Sequence, residues 1–475
     1  MISLLADLDR HAVERPDAPA IAAPRSTYSF SELHELVAAV AARLRGAGVA
    51  PRQTVAVDLP AALEWIVDLA LLRLAARSVS VRGIPDAPGL RPDAVLVSPS
   101  GSRWSAPLSL EVDELWMAGA VSAASGPPPF VDYPRPDSVF RLMLTSGTTG
   151  TPRAAAYAVS AFEHRRLGLD SYWTDDRAEL DLMPLSTTGG FHTAAAALRH
   201  GQAYRAVDHI TEETMRFAAS EGVRVLCGSP QQVAGALDVL STHDIALPAL
   251  EEVRLAGALP GATLLRLIAE RLGVPVRGVY GSTEGGGVTS RMLSTDDPSN
   301  VGAVLPGLEL QVVDEAGAPV AAGSSGSVRY RGPGMTSGYL ENGALVPFPG
   351  GWFVPGDLGM LAPDGSLVLE GRATEVINIA GLKVNPDRVD ALAKDFPGVR
   401  DAAAFGLERA TGIAELGLAV VVEDSCDVRA LDRLLRQQLP VGHPTTFWRV
   451  AEIPRNRMGK VERALLTAAH ARASV

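Results

Sequence analysis

Three consecutive segments near the start of the chain restrict its architecture more than any other feature. SFSELHELVAAVAARLRGAG, residues 29–48, opens on a serine, repeats apolar residues at helical spacing and closes on glycine. Those are both end signals of an amphipathic helix. TVAVDLP, residues 54–60, reads as a buried strand, and AALEWIVDLALLRLA, residues 61–75, as a second helix. Alternation of this kind predicts α/β layering.

The alternation resumes from residue 139 to residue 290. There VRVLCGS and VRLAGA are apolar runs ending in small residues, and TLLRLIAERLG is a helix between strands. Residues 83–137, rich in Pro, Gly and Ser, hold only short strands such as DAVLV and predict a loosely built region. After residue 300 the pattern turns to β. LELQVVDEAGAPV predicts a hairpin around Glu315-Ala316-Gly317, and GWFVPGDLGMLAPDGSLVLEGR a second one turning at Asp364-Gly365. From residue 375 the chain reads as a compact α+β unit. At 475 residues it exceeds what one hydrophobic core usually serves, so at least two domains are expected.

The net charge of −11 argues against a nucleic-acid or anionic-membrane partner, which would favour a basic surface. No stretch approaches the length and apolarity of a membrane span, and MISLLADLDRHAVERPD carries acids within its apolar run, unlike a secretory signal. A cytoplasmic enzyme is the expectation. Cys227 and Cys426, far apart in unrelated contexts, read as reduced core residues, and the histidines show no zinc spacing. Only three lysines occur, Lys383, Lys394 and Lys460, against 40 arginines. A lysine that survives such a bias marks a position where guanidinium does not substitute.

Five stretches carry chemistry. In RLMLTSGTTGTPR, residues 141–153, an apolar strand stops at Thr145 and gives way to hydroxyls and glycines before Arg153. That is either a solvated turn or a phosphate loop offering backbone N–H groups, hydroxyl donors and a cation. VYGSTEGGG, residues 279–287, is a second strand end of this kind, adding an aromatic, Tyr280, and a carboxylate, Glu284. GWFVPGDLG sets Asp357 at the mouth of a hairpin, GRATEVINIAGLKVNP begins with Gly371-Arg372, and RNRMGKVER puts Lys460 on a glycine-bearing loop before a C-terminal helix. No G-x-x-x-x-G-K-[ST] loop and no G-x-S-x-G elbow occurs.

The order and spacing of these stretches resemble the adenylate-forming superfamily of acyl-CoA synthetases, nonribosomal-peptide adenylation domains and luciferases. Nearest in appearance is a short acyl-CoA synthetase. The resemblance implies an α/β fold: a large N-terminal domain of layered sheets and helices with a β-rich subdomain, residues 1–371, and a small mobile α+β domain, residues 372–475. It implies an ATP- and Mg²⁺-dependent ligase that joins AMP to a small-molecule carboxylic acid, releases pyrophosphate and passes the acyl group on. The acceptor is coenzyme A, through a thiol-facing loop around Gly381. The alternative is a stand-alone adenylating enzyme serving a carrier protein or an amine, a diazotase-like enzyme activating nitrite included.

Under the resemblance, Thr145, Ser146, Thr148, Thr149 and Arg153 form the loop gripping the β- and γ-phosphates. Gly257 and Ala258 line the adenine, with Tyr280 and Gly281 beside it. Thr283 touches the α-phosphate, Glu284 holds Mg²⁺, and Asp357 takes the ribose hydroxyls with Arg372 nearby. Lys460 bridges the acid's carboxylate and the α-phosphate. Thr187, Thr188, Gly189, Gly190, Ser229, Gln231, Gly285 and Gly286 line the acid pocket. Three positions depart from the family's pattern: Arg153 stands where Lys is usual, Thr374 at the usual Asp or Lys of the hinge, and Thr187 at a usual His or aromatic. Counting back from Gly201, the Asp that amino-acid-activating relatives present to an α-ammonium falls on Thr188. A hydroxyl cannot neutralise an ammonium, so an ordinary α-amino acid is not the expected substrate.

Overall fold

The computed structural model describes residues 3–82, 84, 90–123, 135–145, 152–168, 177–373, 377–379, 382–408, 414–439, 443–455 and 461–473. An eight-stranded sheet is built around five parallel strands: Thr54–Asp58, Arg77–Ser80, Ala94–Val97, Leu108–Glu111 and Val139–Thr145. Arg153–Ala158 pairs antiparallel with Val139–Thr145, and Tyr339–Glu341 pairs antiparallel with Arg153–Ala158. The helix Phe30–Gly46 begins with a capping box in which Ser29 and Glu32 satisfy each other's backbone donors. The helix Ala61–Arg73 is apolar on nearly every side and almost wholly buried. It carries two carboxylates into the core, Glu64 and Asp68, and Arg141 from the central strand pairs with both.

A ten-stranded sheet holds the parallel strands Glu179–Asp181, Val225–Gly228, Glu252–Ala256 and Val276–Ser282, then continues antiparallel through Gly286–Met292 and Asn300–Val304 into the β-rich part. Beyond residue 375 the chain forms separate small sheets. Val399–Glu408, Ala414–Val422 and Thr446–Arg449 make one, with the helices Pro386–Lys394, Val428–Gln438 and Arg463–Ala473. Val389, Ala402, Leu416, Leu418, Leu431 and Leu435 give it an apolar core of its own. Asp395 nonetheless accepts a hydrogen bond from the Thr263 hydroxyl at 2.6 Å, tying this part to the helix Ala262–Leu272.

The α/β class expected from the sequence is the one observed. Of the local expectations, the short strand in DAVLV is present as Ala94–Val97, and a second short one, Leu108–Glu111, joins it at the end of the large sheet. Buried Trp104 donates its indole N–H to the Ile84 carbonyl at 3.0 Å, and residues 83, 85–89 and 124–134 lie outside the described residues. The first expected hairpin differs in its pairing. Around Glu315-Ala316-Gly317 the turn forms, with Gly317 at φ +81°, but the return is brief: the bridge Val313–Pro319, the Asp314 N–H to the Ala318 carbonyl at 2.9 Å and the Val320 N–H to the Val312 carbonyl at 3.0 Å. Proline has no N–H to continue a ladder, and the true partner of Glu309–Val313 is Gly326–Arg331. The Asp364-Gly365 turn does join its expected strands, Asp357–Leu361 and Leu367–Arg372.

Both cysteines are free and buried. Cys227 stands with Glu179 and Asp181, their ligand atoms within 4.8 Å of one another. Arg254 pairs with Glu179, and the Asp181 oxygens accept from the Met183 N–H and the Thr193 hydroxyl, so both carboxylates already hold protein donors. No helix among the described residues is long and apolar enough to cross a membrane.

Candidate functional site

Thr145 ends its strand directly opposite Arg153, so the hairpin holds both mouths of the loop between them. Ser146, Thr148 and Thr149 lie outside the described residues, as do Thr374, Gly381 and Lys460. Arg153 is engaged twice. Its guanidinium donates to Glu341 at 2.8 Å and lies over the Tyr339 ring, 3.5 Å from the centroid. The Tyr339 hydroxyl in turn donates to Glu284 at 2.5 Å. Burial, then Glu284, pushes the Tyr339 phenol far above its ordinary value, so it stays a proton donor. A chain of contacts therefore runs from Arg153 to the buried carboxylate of YGSTE. The pairing of Tyr339–Glu341 with Arg153–Ala158 creates it, and nothing near residue 339 in the sequence announces it.

In a second cluster, three residues from three segments meet. The Tyr280 hydroxyl donates to Asp357 Oδ2 at 2.7 Å, and Arg372 Nε lies 3.2 Å from Asp357 Oδ1. Asp357 and Arg372 are directly opposite across the Asp364-Gly365 hairpin. Burial, then the Asp357 charge, holds the Tyr280 phenol well above its usual value. Gly281 is required by the backbone: an added Cβ would stand 1.8 Å from the Gly286 carbonyl oxygen. Gly257 and Ala258 follow the strand Glu252–Ala256, exposed, with Gly257 at φ +86°.

A narrow crevice that includes Glu284 is lined by Met143, Tyr157, Arg165, Thr188, Thr283, Gly334 and Thr336 as well. Of the residues expected in the acid pocket, only Thr188 is among them, and its hydroxyl donates to the Thr283 carbonyl at 3.0 Å. Thr187 and Ser229 are helix caps: each accepts from a backbone N–H at the start of the helices Thr188–His200 and Pro230–Thr242. Gln231 is exposed. Gly189 and Gly190 are small because Met183 and the Pro184 carbonyl press against them. Gly285 and Gly286 are small because Tyr330 and Arg165 do so. The sequence did not single out Arg165, Thr336 or Tyr339; the only trace of the first was the run of glycines it packs against.

The lysine argument resolves in part. Lys394 is a half-exposed partner of Asp401 at 3.5 Å. The loop that carries Lys460 is bracketed by the bridge between Arg455 and Val461. Arg455 pairs with Asp401 and Arg463 with Asp387 and Asp390, so two of its flanking arginines anchor the ends of the loop.

The model of the AMP-binding enzyme family matches residues 8–340. Among characterised relatives, a fatty acid–[acyl-carrier-protein] ligase of Mycobacterium marinum is 31% identical over 70% of this chain and 68% of its own length. A 2-hydroxy-7-methoxy-5-methyl-1-naphthoate–CoA ligase of Streptomyces carzinostaticus is 26% identical over 99% of this chain and 94% of its own. Among solved structures, ATP-bound MatB from Rhodopseudomonas palustris superposes with a TM-score of 0.85 at 23% identity, over 98% of each chain. An anthranilate CoA ligase bound to anthranoyl-AMP superposes at 0.86 and 18% identity, over 99% of this chain and 98% of its own.

Proposed function

Because the chain belongs to the AMP-binding enzyme family and is, like its relatives, an ATP-dependent adenylate-forming ligase, we propose that it activates a short carboxylic acid and hands the acyl group to the thiol of coenzyme A. The observation that carries the nucleotide half is a pair of side-chain clusters, Tyr280 and Arg372 on Asp357, and Arg153 and Tyr339 leading to Glu284, which lines the crevice. Asp357, a carboxylate already ordered by two donors, takes the ribose hydroxyls. Arg153 exchanges Glu341 for the β- and γ-phosphates, and Thr145 stands at the base of that loop with Ser146, Thr148 and Thr149. Glu284 fits Mg²⁺: it is a buried carboxylate lining the crevice, with one oxygen positioned by Tyr339. The ion supplies charge neutralisation on the phosphates. Thr283, next to Glu284, lies where the α-phosphate is to react.

In the first half-reaction the acid's carboxylate oxygen attacks the α-phosphorus, pyrophosphate leaves, and the acyl-adenylate forms. Lys460 stabilises the negative charge that builds between the two groups. Its compact ammonium suits a loop that enters and leaves the site, with residues 372–475 as the moving domain. In the second half-reaction the thiolate displaces AMP from the acyl carbon. An acyl-carrier protein is the alternative acceptor, favoured by the carrier-protein ligase of M. marinum among the relatives.

Glu284 is the one acidic residue among the described residues lining the crevice, and it is assigned to Mg²⁺, so an α-ammonium would have no partner among them. This supports a substrate other than an α-amino acid. The test is ATP–pyrophosphate exchange over a panel of aryl, short acyl and amino acids plus nitrite, repeated with coenzyme A and with carrier protein. Lys460→Ala is expected to lower exchange about 10²-fold or more; near-normal exchange refutes its role. Exchange strongest with a proteinogenic α-amino acid overturns the substrate reading.

A further inference from the structure

Of the buried arginines among the described residues, Arg73, Arg141, Arg205 and Arg254 each have a carboxylate within 4 Å: Asp9 at 3.7 Å, Asp68, Glu221 at 3.4 Å and Glu179 at 3.0 Å. Arg165, on the helix Val159–Gly168, is the exception. It is only 6% exposed, and its partners are carbonyl oxygens, Gly334 at 3.0 Å and Gly285. Its guanidinium lines the crevice.

Among the described residues, nothing around this charge compensates it. Tyr157 is kept a neutral phenol by burial, and its hydroxyl lies 2.8 Å from His192 Nε2. Burial, followed by Arg165 and Arg141, drives His192 well below its ordinary value, so it too is neutral. The loop of YGSTEGGG is shaped around the guanidinium: a Cβ on Gly286, at φ +64°, would stand 0.9 Å from Arg165 Nη1. A second polar group points the same way. Thr336, 5% exposed and lining the same crevice, has a buried hydroxyl with no hydrogen-bond partner among the described residues. Its own N–H is tied to the Glu284 carbonyl at 2.9 Å, which fixes its position beside the reacting end. Burying an uncompensated charge and an unmade hydroxyl bond is costly, and a ligand that supplies an anionic acceptor relieves both.

We propose that Arg165 and Thr336 read a second carboxylate on the substrate, so that the acid activated here is a short dicarboxylic acid. This rests on the adenylating reading above and adds the substrate class to it. The carboxylate that reacts lies toward Thr283 and Glu284; the other accepts from the Arg165 guanidinium and the Thr336 hydroxyl. Both residues determine specificity, and neither takes part in the bond changes.

The test compares matched pairs in ATP–pyrophosphate exchange with the full-length chain: malonate against propionate, succinate against butyrate, phthalate against benzoate. For the pair whose size fits, kcat/KM for the dicarboxylate is expected to exceed that for its partner about 10²-fold, the scale of a charge-assisted contact made in a dry site. Arg165→Gln is expected to lower the dicarboxylate to its partner's level with KM for ATP unchanged, and Arg165→Lys to restore part of the preference. Thr336→Val, nearly isosteric, is expected to cost about tenfold on the dicarboxylate alone. A wild-type enzyme that exchanges equally well or better with the monocarboxylates overturns the inference without any variant. So does an Arg165→Gln protein that loses both members of a pair equally, which marks a structural brace. Absence of exchange with every acid, these and the wider panel, refutes adenylation itself.

Discussion

Tyr339→Phe isolates the hydroxyl that links Arg153 to the buried Glu284 carboxylate. The ring remains, and with it the Arg153 guanidinium stacked 3.5 Å from its centroid, so only the 2.5 Å hydrogen bond to Glu284 is removed. A hydrogen bond to a charged partner contributes about 1.5–3 kcal/mol. At about 1.4 kcal/mol per tenfold, kcat/KM for pyrophosphate exchange should fall roughly 10- to 100-fold. Glu284 is the proposed Mg²⁺ ligand, so the loss should appear mainly as a higher Mg²⁺ requirement and should narrow when Mg²⁺ is raised. The assay is exchange against Mg²⁺ concentration for the wild type, Tyr339→Phe, Glu284→Gln and the double variant. In the Glu284→Gln background the Tyr339 change should cost little, because the charge it served is gone. A Tyr339→Phe enzyme within twofold of wild type at every Mg²⁺ concentration refutes the reasoning, as does full additivity of the two changes.

Asp357→Ala removes the group on which Tyr280 and Arg372 converge and should weaken ATP binding by about tenfold or more, measured by calorimetry; an unchanged affinity removes the ribose role. Glu64 offers a test of stability against pH. Burial, then Asp68, pushes its carboxyl from 4.5 up to about 8, against the opposing pull of Arg141. Its folded value lies above its unfolded one, so its contribution is fully present below about pH 4.5 and is lost as pH rises through about 8. The melting temperature should therefore fall between those limits, less steeply in Glu64→Gln, and equal slopes in the two proteins contradict this account.

Much of the architecture could be read from local signals. The capping box at Ser29 and Glu32 marks a helix start by its own hydrogen bonds, and the Asp364-Gly365 turn places Asp357 across from Arg372 within one hairpin. Thr145 and Arg153 face each other for the same local reason. Motif order extended this to a family. The pocket resisted such reading. Thr187 and Ser229 looked like lining residues, but a hydroxyl before a helix satisfies the backbone first. What reaches the crevice depends on pairings across long stretches of chain. Tyr339 meets Arg153 because Tyr339–Glu341 adds to the edge of a sheet begun far earlier, and Arg165 meets Gly285, Gly334 and Glu284's loop only when helix and both loops pack together. The elements, their order and the register that sets Asp357 across from Arg372 and Thr145 across from Arg153 rest on bonds between near neighbours and were legible in the chain. Only folding settles that, among the described residues, Arg165 is the buried arginine with no carboxylate within 4 Å, because a charge acquires its partner, or lacks one, only from what folds against it.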